Sequence, residues 1–218
     1  ADDVALRRAA ELDAGQIVAH RASSWGLGPL AGRRTTIAAQ RSGCRGGRYR
    51  FDVVRLFVAV WPPASVADLL EKLPRPDRPG VRWTTRAQWH VTLRFLGRAD
   101  IDEAVLALEG LTAPQREVVV APTPEILGGS VLVLPVEGLD DLAGAVVAAT
   151  AGVGDAAVRT DFRGHITLAR SRSGGFPGVG ALAAPVSFGV REVALVTSET
   201  RPDGARYRDV RRFPLPLG

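Results

Sequence analysis

WHVTLRFLG, residues 89–97, returns in shortened form as HITLAR, residues 165–170. Both read as apolar strands interrupted by His-x-Thr. Residues i and i+2 of a strand share a face. His90 and Thr92 therefore share one face while Val91 and Leu93 share the other, and His165 and Thr167 are set against Ile166 and Leu168 in the same way. The chain has only 3 histidines, so placing two of them in matching apolar strands is informative.

The surroundings repeat as well. RLFVAV (55–60) is a short buried strand stopped by Trp-Pro-Pro, and ASVADLLEKL (64–73) has helical spacing, with Ser65 as its expected N-cap. VRWTT and WHVTLRFLG then read as strands, and DIDEAVLALEGL as a helix capped by Asp100 or Asp102. Further on, VLVLPVEG (131–138) is a strand ended by Pro, LDDLAGAVVAATAG a helix, and HITLAR a strand. Strand, proline, helix, loop and His-x-Thr strand thus occur twice, aligned by Phe57 and Val133, which indicates a duplicated unit. EVALVTS, RPDG and ARYRDVRRFPL supply a closing hairpin with a Pro-Asp-Gly turn.

If a pseudo-two-fold axis relates the halves, two imidazoles and two hydroxyls converge on one cleft. Imidazoles with ordinary pKa near 6.5 suit general acid–base work, one neutral and one charged. Hydroxyls donate to a charged oxygen, and an anionic phosphodiester fits such a site. One ligand per strand with no carboxylate at a natural offset argues against a metal. The glycine patterns GVGDAA and GLGPLA do not connect a strand to a helix and are not nucleotide fingerprints.

Composition bounds the rest. The chain has 218 residues, a net charge of +5 and a single cysteine, Cys44, so no internal disulfide framework is available. Residues 1–50 carry nine arginines and four carboxylates, whereas 51–218 balance at nineteen of each sign. The body is thus no uniformly basic slab, and any phosphate must be held locally. Residues 1–50 are Gly-, Ser- and Arg-rich without sustained period and read as a poorly ordered basic extension, in which His20 and Cys44 take no role. No apolar run approaches a membrane span, and the N-terminus lacks the pattern of a signal peptide, so the expected location is cytoplasmic.

RLFVAVWPP, VRWTTRAQWHVTLRFLG, FRGHITLAR and LVTSETRPDGARYRDVRRFPL, in that order, resemble the two-histidine (2H) phosphoesterases, specifically the RNA 2′,3′-cyclic phosphodiesterases also called 2′-5′ RNA ligases. The resemblance covers about residues 54–217. It implies an α+β bilobal duplicated fold, with two antiparallel sheets flanked by helices around a central cleft, within residues 51–218. It further implies His165 as the base on the attacking water, His90 as the acid protonating the leaving O3′, Thr92 and Thr167 as holders of phosphoryl oxygens, and Arg170 as the neutralising cation. The implied reaction opens RNA 2′,3′-cyclic phosphate ends to 2′-phosphates, without metal or cofactor, in a monomer. Val58 stands where many members carry a second aromatic, so Phe57, Trp61 and Trp83 are the expected base-stacking residues, against core packing as their other role. A small cyclic nucleotide or ADP-ribose cyclic phosphate as substrate, and an RNA-end-binding module without turnover, are the alternatives.

Overall fold

The computed structural model describes residues 53–158, 161–172, 175–176, 178–201 and 204–218. The extension read from residues 1–50 lies outside these, as does the Pro-Asp of the closing turn.

Strand β1 (Val53–Val60) leads into helix α1 (Ala64–Glu71), which buries Val66, Ala67 and Leu70. Its N-cap is Pro63, whose carbonyl accepts from the amides of Val66 and Ala67, rather than Ser65. Proline provides this because its fixed φ suits the extended residue before a helix. Strand β2 (Val81–Trp83), a turn of 3₁₀ helix (Arg86–Gln88) and β3 (Val91–Asp100) follow. Helix α2 (Ile101–Glu109) starts at Asp100, whose carboxylate accepts from the Glu103 amide at 3.0 Å. Next come β4 (Arg116–Val120), β5 (Glu125–Leu127), β6 (Val131–Glu137), α3 (Asp140–Ala149), β7 (His165–Ser171), β8 (Val186–Val190), β9 (Glu192–Arg201) and β10 (Gly204–Pro214). Pro135 lies inside β6, opposite His165, rather than ending the strand.

The strand order β10-β9-β1-β3-β7-β6-β4-β8 shows the duplication directly. Reading outward from the middle gives β3-β1-β9-β10 on one side and β7-β6-β4-β8 on the other, all antiparallel. The two expected sheets therefore join edge to edge into one curled antiparallel sheet, with β2 and β5 as side strands on β7 and β6. Their seam is one residue pair, Val91 with Ile166, each the middle residue of a His-x-Thr. Register also corrects the repeat alignment. Val133 pairs with Thr167 as Ala59 pairs with Thr92, so Ala59, not Phe57, is the counterpart of Val133.

One face of the sheet carries the main core. Val91, Leu93, Ile166 and Leu168 are buried there with Val66 and Leu70 of α1, Leu108 of α2 and Leu142 and Val146 of α3. Arg94 crosses this layer and its guanidinium donates to the Val147 carbonyl at 2.8 Å and Thr150 Oγ1 at 2.6 Å, near the C-terminus of α3. A cation suits that end of a helix, and the contact fastens β3 of one lobe to the helix of the other. The opposite face holds a small second cluster of Phe57, Ala59, Ala194 and Val196, edged by Trp61 and Tyr207.

Candidate active site

Antiparallel pairing of Val91 with Ile166 sets His90 across from Thr167 and Thr92 across from His165. The four polar side chains occupy the corners of a quadrilateral on the face away from the main core, like residues on a diagonal. Strands lie about 4.8 Å apart and i to i+2 spans about 6.6 Å, so the diagonal between the two histidine backbones is about 8 Å. A tetrahedral phosphoryl group fits between imidazoles that reach inward from such corners.

Each imidazole is fixed in the same way. His90 Nδ1 donates to the Gln88 carbonyl at 2.7 Å, and His165 Nδ1 donates to the Arg163 carbonyl at 2.7 Å. A carbonyl only accepts, so Nδ1 carries the hydrogen in both rings and Nε2 is left for chemistry. Gly164 makes the second arrangement possible, because a Cβ there would collide with the Val136 carbonyl oxygen. His90 is further held by aromatic rings: Phe57 at 4.9 Å between centroids, Tyr207 at 4.9 Å and Trp61 at 5.6 Å. Burial pushes the His90 imidazole down to about 4; the bond to Gln88 opposes this in part, and the charges of His165 and Arg170 lower it further. Both charges thus lie within electrostatic reach of His90.

Arg170 belongs to this centre for a reason that strict alternation hides. Leu132 pairs with Ala169 and Val133 with Thr167, so Leu168 is an extra residue, a β-bulge. An unbroken strand would turn Arg170 away from His165. The bulge resets the alternation, burying Ala169 and returning Arg170 to the histidine side. The first lobe has the same device: Val58 pairs with Arg94 and Ala59 with Thr92, which leaves Leu93 as the extra residue. Arg94 then goes to the core, and Phe95, the counterpart of Arg170, comes to the cleft face, 41% exposed with its ring 6.0 Å from that of Phe57. Phe95 was missed in the sequence, although its offset from His90 equals that of Arg170 from His165.

The bulge of β7 has a clamp. Thr84 Oγ1 lies 2.7 Å from the Thr167 carbonyl and 2.8 Å from that of Leu168, and the Thr84 amide donates to Leu168 at 2.9 Å. Thr84 Oγ1 in turn accepts from Trp89 Nε1 at 3.0 Å, and Trp89 is only 1% exposed. The residue before His90 is thereby linked to the residues that follow His165. Replacing Thr84 with valine removes the donor to the bulge and leaves a buried indole N–H unpaired. The expected cost is about 1–3 kcal/mol in thermal or denaturant unfolding. Thr84→Ser should restore most of it, and equal stability of the valine and serine variants would refute the clamp.

The expected stacking residues fare differently. Phe57 is 1% exposed and packs on His90 and Tyr207, so it supports the imidazole and does not stack a base. Trp61 is half-buried, with Nε1 donating to Asp209 at 2.9 Å and its edge toward His90. Trp83 is half-buried on β2, with Nε1 donating to the Pro76 carbonyl at 3.3 Å. Among the described residues no three His, Cys, Asp or Glu side chains gather in a metal-binding group, and no helix is long and apolar enough to cross a membrane.

Residues 60–120 match the family model of LigT-like phosphoesterases, a stretch that holds the first His-x-Thr. Over that stretch the chain is similar to the LigT-like phosphoesterases. Among solved structures the chain is similar to TT0787 of Thermus thermophilus, at 28% identity over 75% of this chain and 98% of that one, with a TM-score of 0.61. A second solved phosphoesterase aligns at 24% identity over 76% of this chain and 100% of its own, with a TM-score of 0.65. Escherichia coli LigT, solved with 3′-AMP, aligns at 24% identity over 75% of this chain and 99% of that one, with a TM-score of 0.63. The last two likenesses concern the fold. Comparison with curated protein sequences gives no significant match.

Proposed function

We propose that this protein is a phosphoesterase that opens 2′,3′-cyclic phosphate ends of RNA to 2′-phosphates. The carrying observation is the pair of imidazoles on adjacent antiparallel strands, each with Nδ1 fixed by a carbonyl two residues back. Two such groups on opposite sides of one phosphorus atom perform an in-line displacement. Water attacks phosphorus and gives its proton to His165 Nε2. The P–O3′ bond breaks, and O3′ takes the proton of His90 Nε2. Thr92, Thr167 and Arg170 hold the non-bridging oxygens, whose charge grows in the transition state.

His90 is neutral in the empty cleft at pH 7, since its imidazole is pushed down to about 4. An anionic phosphodiester beside it favours the charged form, so the substrate helps to load its own acid. A ring that resists protonation also releases its proton readily to the leaving alkoxide. The pH profile follows. In kcat/KM, which reports the free enzyme, the reactive form has His90 protonated and His165 neutral, and one of the two midpoints is expected near pH 4. In kcat, which reports the complex, that midpoint should move to higher pH. Midpoints near 6.5 in both would contradict this account of His90.

The function is tested by incubating the protein, in EDTA, with an oligonucleotide ending in a 2′,3′-cyclic phosphate and assigning the product end. A 2′-phosphate is expected. A 3′-phosphate would reverse the acid and base assignments, and no product would leave an end-binding module or a small cyclic nucleotide as the substrate class.

A further inference from the structure

Outside the quadrilateral, the first lobe carries an open groove of about 530 Å³ that begins at Tyr207, the residue whose ring rests on His90. Its walls include Arg55, Arg98, Arg201, Arg206 and Arg208, with Glu199 as the one carboxylate among the described residues that line it. Arg201 binds Glu199 at 3.0 Å, and the carboxyl of Glu199 is held low first by that bond and further by the charges of Arg206 and Arg208. Residues 51–218 carry no net charge, so five arginines against one acid is a concentration of charge, not a sample of the average surface.

A second observation is independent of the count. Arg55 and Arg98 are direct cross-strand partners between β1 and β3. Like charges placed opposite one another destabilise a sheet. Asp155 accepts from the backbone amide of Arg98, not from its guanidinium. An arrangement that costs stability in the free protein is relieved by an anion bridging the two guanidinium groups.

The far end of the site has the opposite character. A pocket of about 230 Å³ reaches His165 from the second lobe, and Glu125, Glu137 and Asp140 line it beside Arg163. Displacement stereochemistry assigns these sides to different parts of the substrate. Water enters in line opposite O3′, therefore on the His165 side, and the ribose carrying O3′ lies on the His90 side. Every nucleotide joined to that ribose must leave over the first lobe.

We infer that the arginine-lined groove of the first lobe is a phosphate-binding track for the nucleotides that precede the reacting end, a single-stranded polynucleotide being its ligand. The inference rests on the proposed reaction for its direction, and on the groove and the Arg55–Arg98 pair for its existence. Phe95 stands between the histidine centre and the track, where an exposed ring offers a face to the base of an incoming nucleotide.

The test compares a 2′,3′-cyclic mononucleotide with a single-stranded decamer bearing the same cyclic end, for the wild type and for the Arg55→Gln/Arg98→Gln double variant. The wild type should favour the decamer in kcat/KM. The variant should lose about tenfold of that preference through KM, with mononucleotide turnover within about twofold of wild type. Removing two phosphate contacts on a single strand should also flatten the slope of log K against log salt by about 1.4. An unchanged preference with an unchanged slope would overturn the track. In parallel, anisotropy of a labelled decamer ending in a 2′-phosphate reads binding without turnover. If neither cyclic substrate reacts, the proposed reaction fails while the titration still decides the track. Weaker binding by the double variant supports it, and equal binding removes it.

Discussion

Alanine in place of either His90 or His165 will slow opening of a cyclic-phosphate end by about 10²–10⁴-fold, the range for losing a positioned general acid or base. Each imidazole has one proton to move in the same displacement, and neither can stand in for its partner, because each Nδ1 is committed to a carbonyl. The double variant should therefore be hardly slower than either single one, since residues that act as a unit are strongly non-additive. Steady-state kinetics on one substrate, with all three variants checked for cooperative unfolding, provides the measurement. A His90 variant retaining more than about a tenth of wild-type kcat would mean that O3′ leaves without its help. Fully additive losses would mean that the two rings serve different steps.

The second large effect concerns Arg170. Arg170→Lys should lose on the order of tenfold or more in kcat/KM, and Arg170→Ala should lose more, because a donor aimed at developing charge is typically worth a few kcal/mol. Lysine keeps the charge but not the planar fork that grips two oxygens at once. The lysine variant keeps the aliphatic stem and should melt close to wild type. Wild-type kinetics in both substitutions would leave phosphate binding to Thr92 and Thr167.

Much of this site was legible because the duplication wrote it twice. His90 and His165 stand out through scarcity, and Thr92 and Thr167 follow from the two-residue period of a strand. The same period misleads three residues further on. Nothing in LRF or LAR announces the extra residue at Leu93 or Leu168, because bulged and unbulged strands share an apolar composition. The direction of Arg170 was therefore open, and Phe95 passed unnoticed. Phe57 was expected at the surface of the cleft. Its strand does present it to that face, but Tyr207, 150 positions away in the chain, covers it. Long-range covering of this kind has no local signal. The same holds for Thr84, whose partners are carbonyls of a strand that alternation cannot pair with it. Strands β4 and β8, five residues each, were also overlooked, since short segments become strands through the ladder they complete.

The strand order bears on how the chain is made. A ribosome delivers β1 and β3 early, yet their neighbours β9 and β10 are the last strands to emerge. The half that holds His165 is drawn from residues 116–190 and can close while its predecessor still waits with β1 unpaired along one edge. Nascent chains thus expose VVRLFVAV, a strand rich in branched apolar residues, through most of synthesis. Arg55 interrupts that run and is a natural guard against its pairing with another chain. Of the two histidines in the cleft, the one translated first is, by this order, the last to receive its finished surroundings.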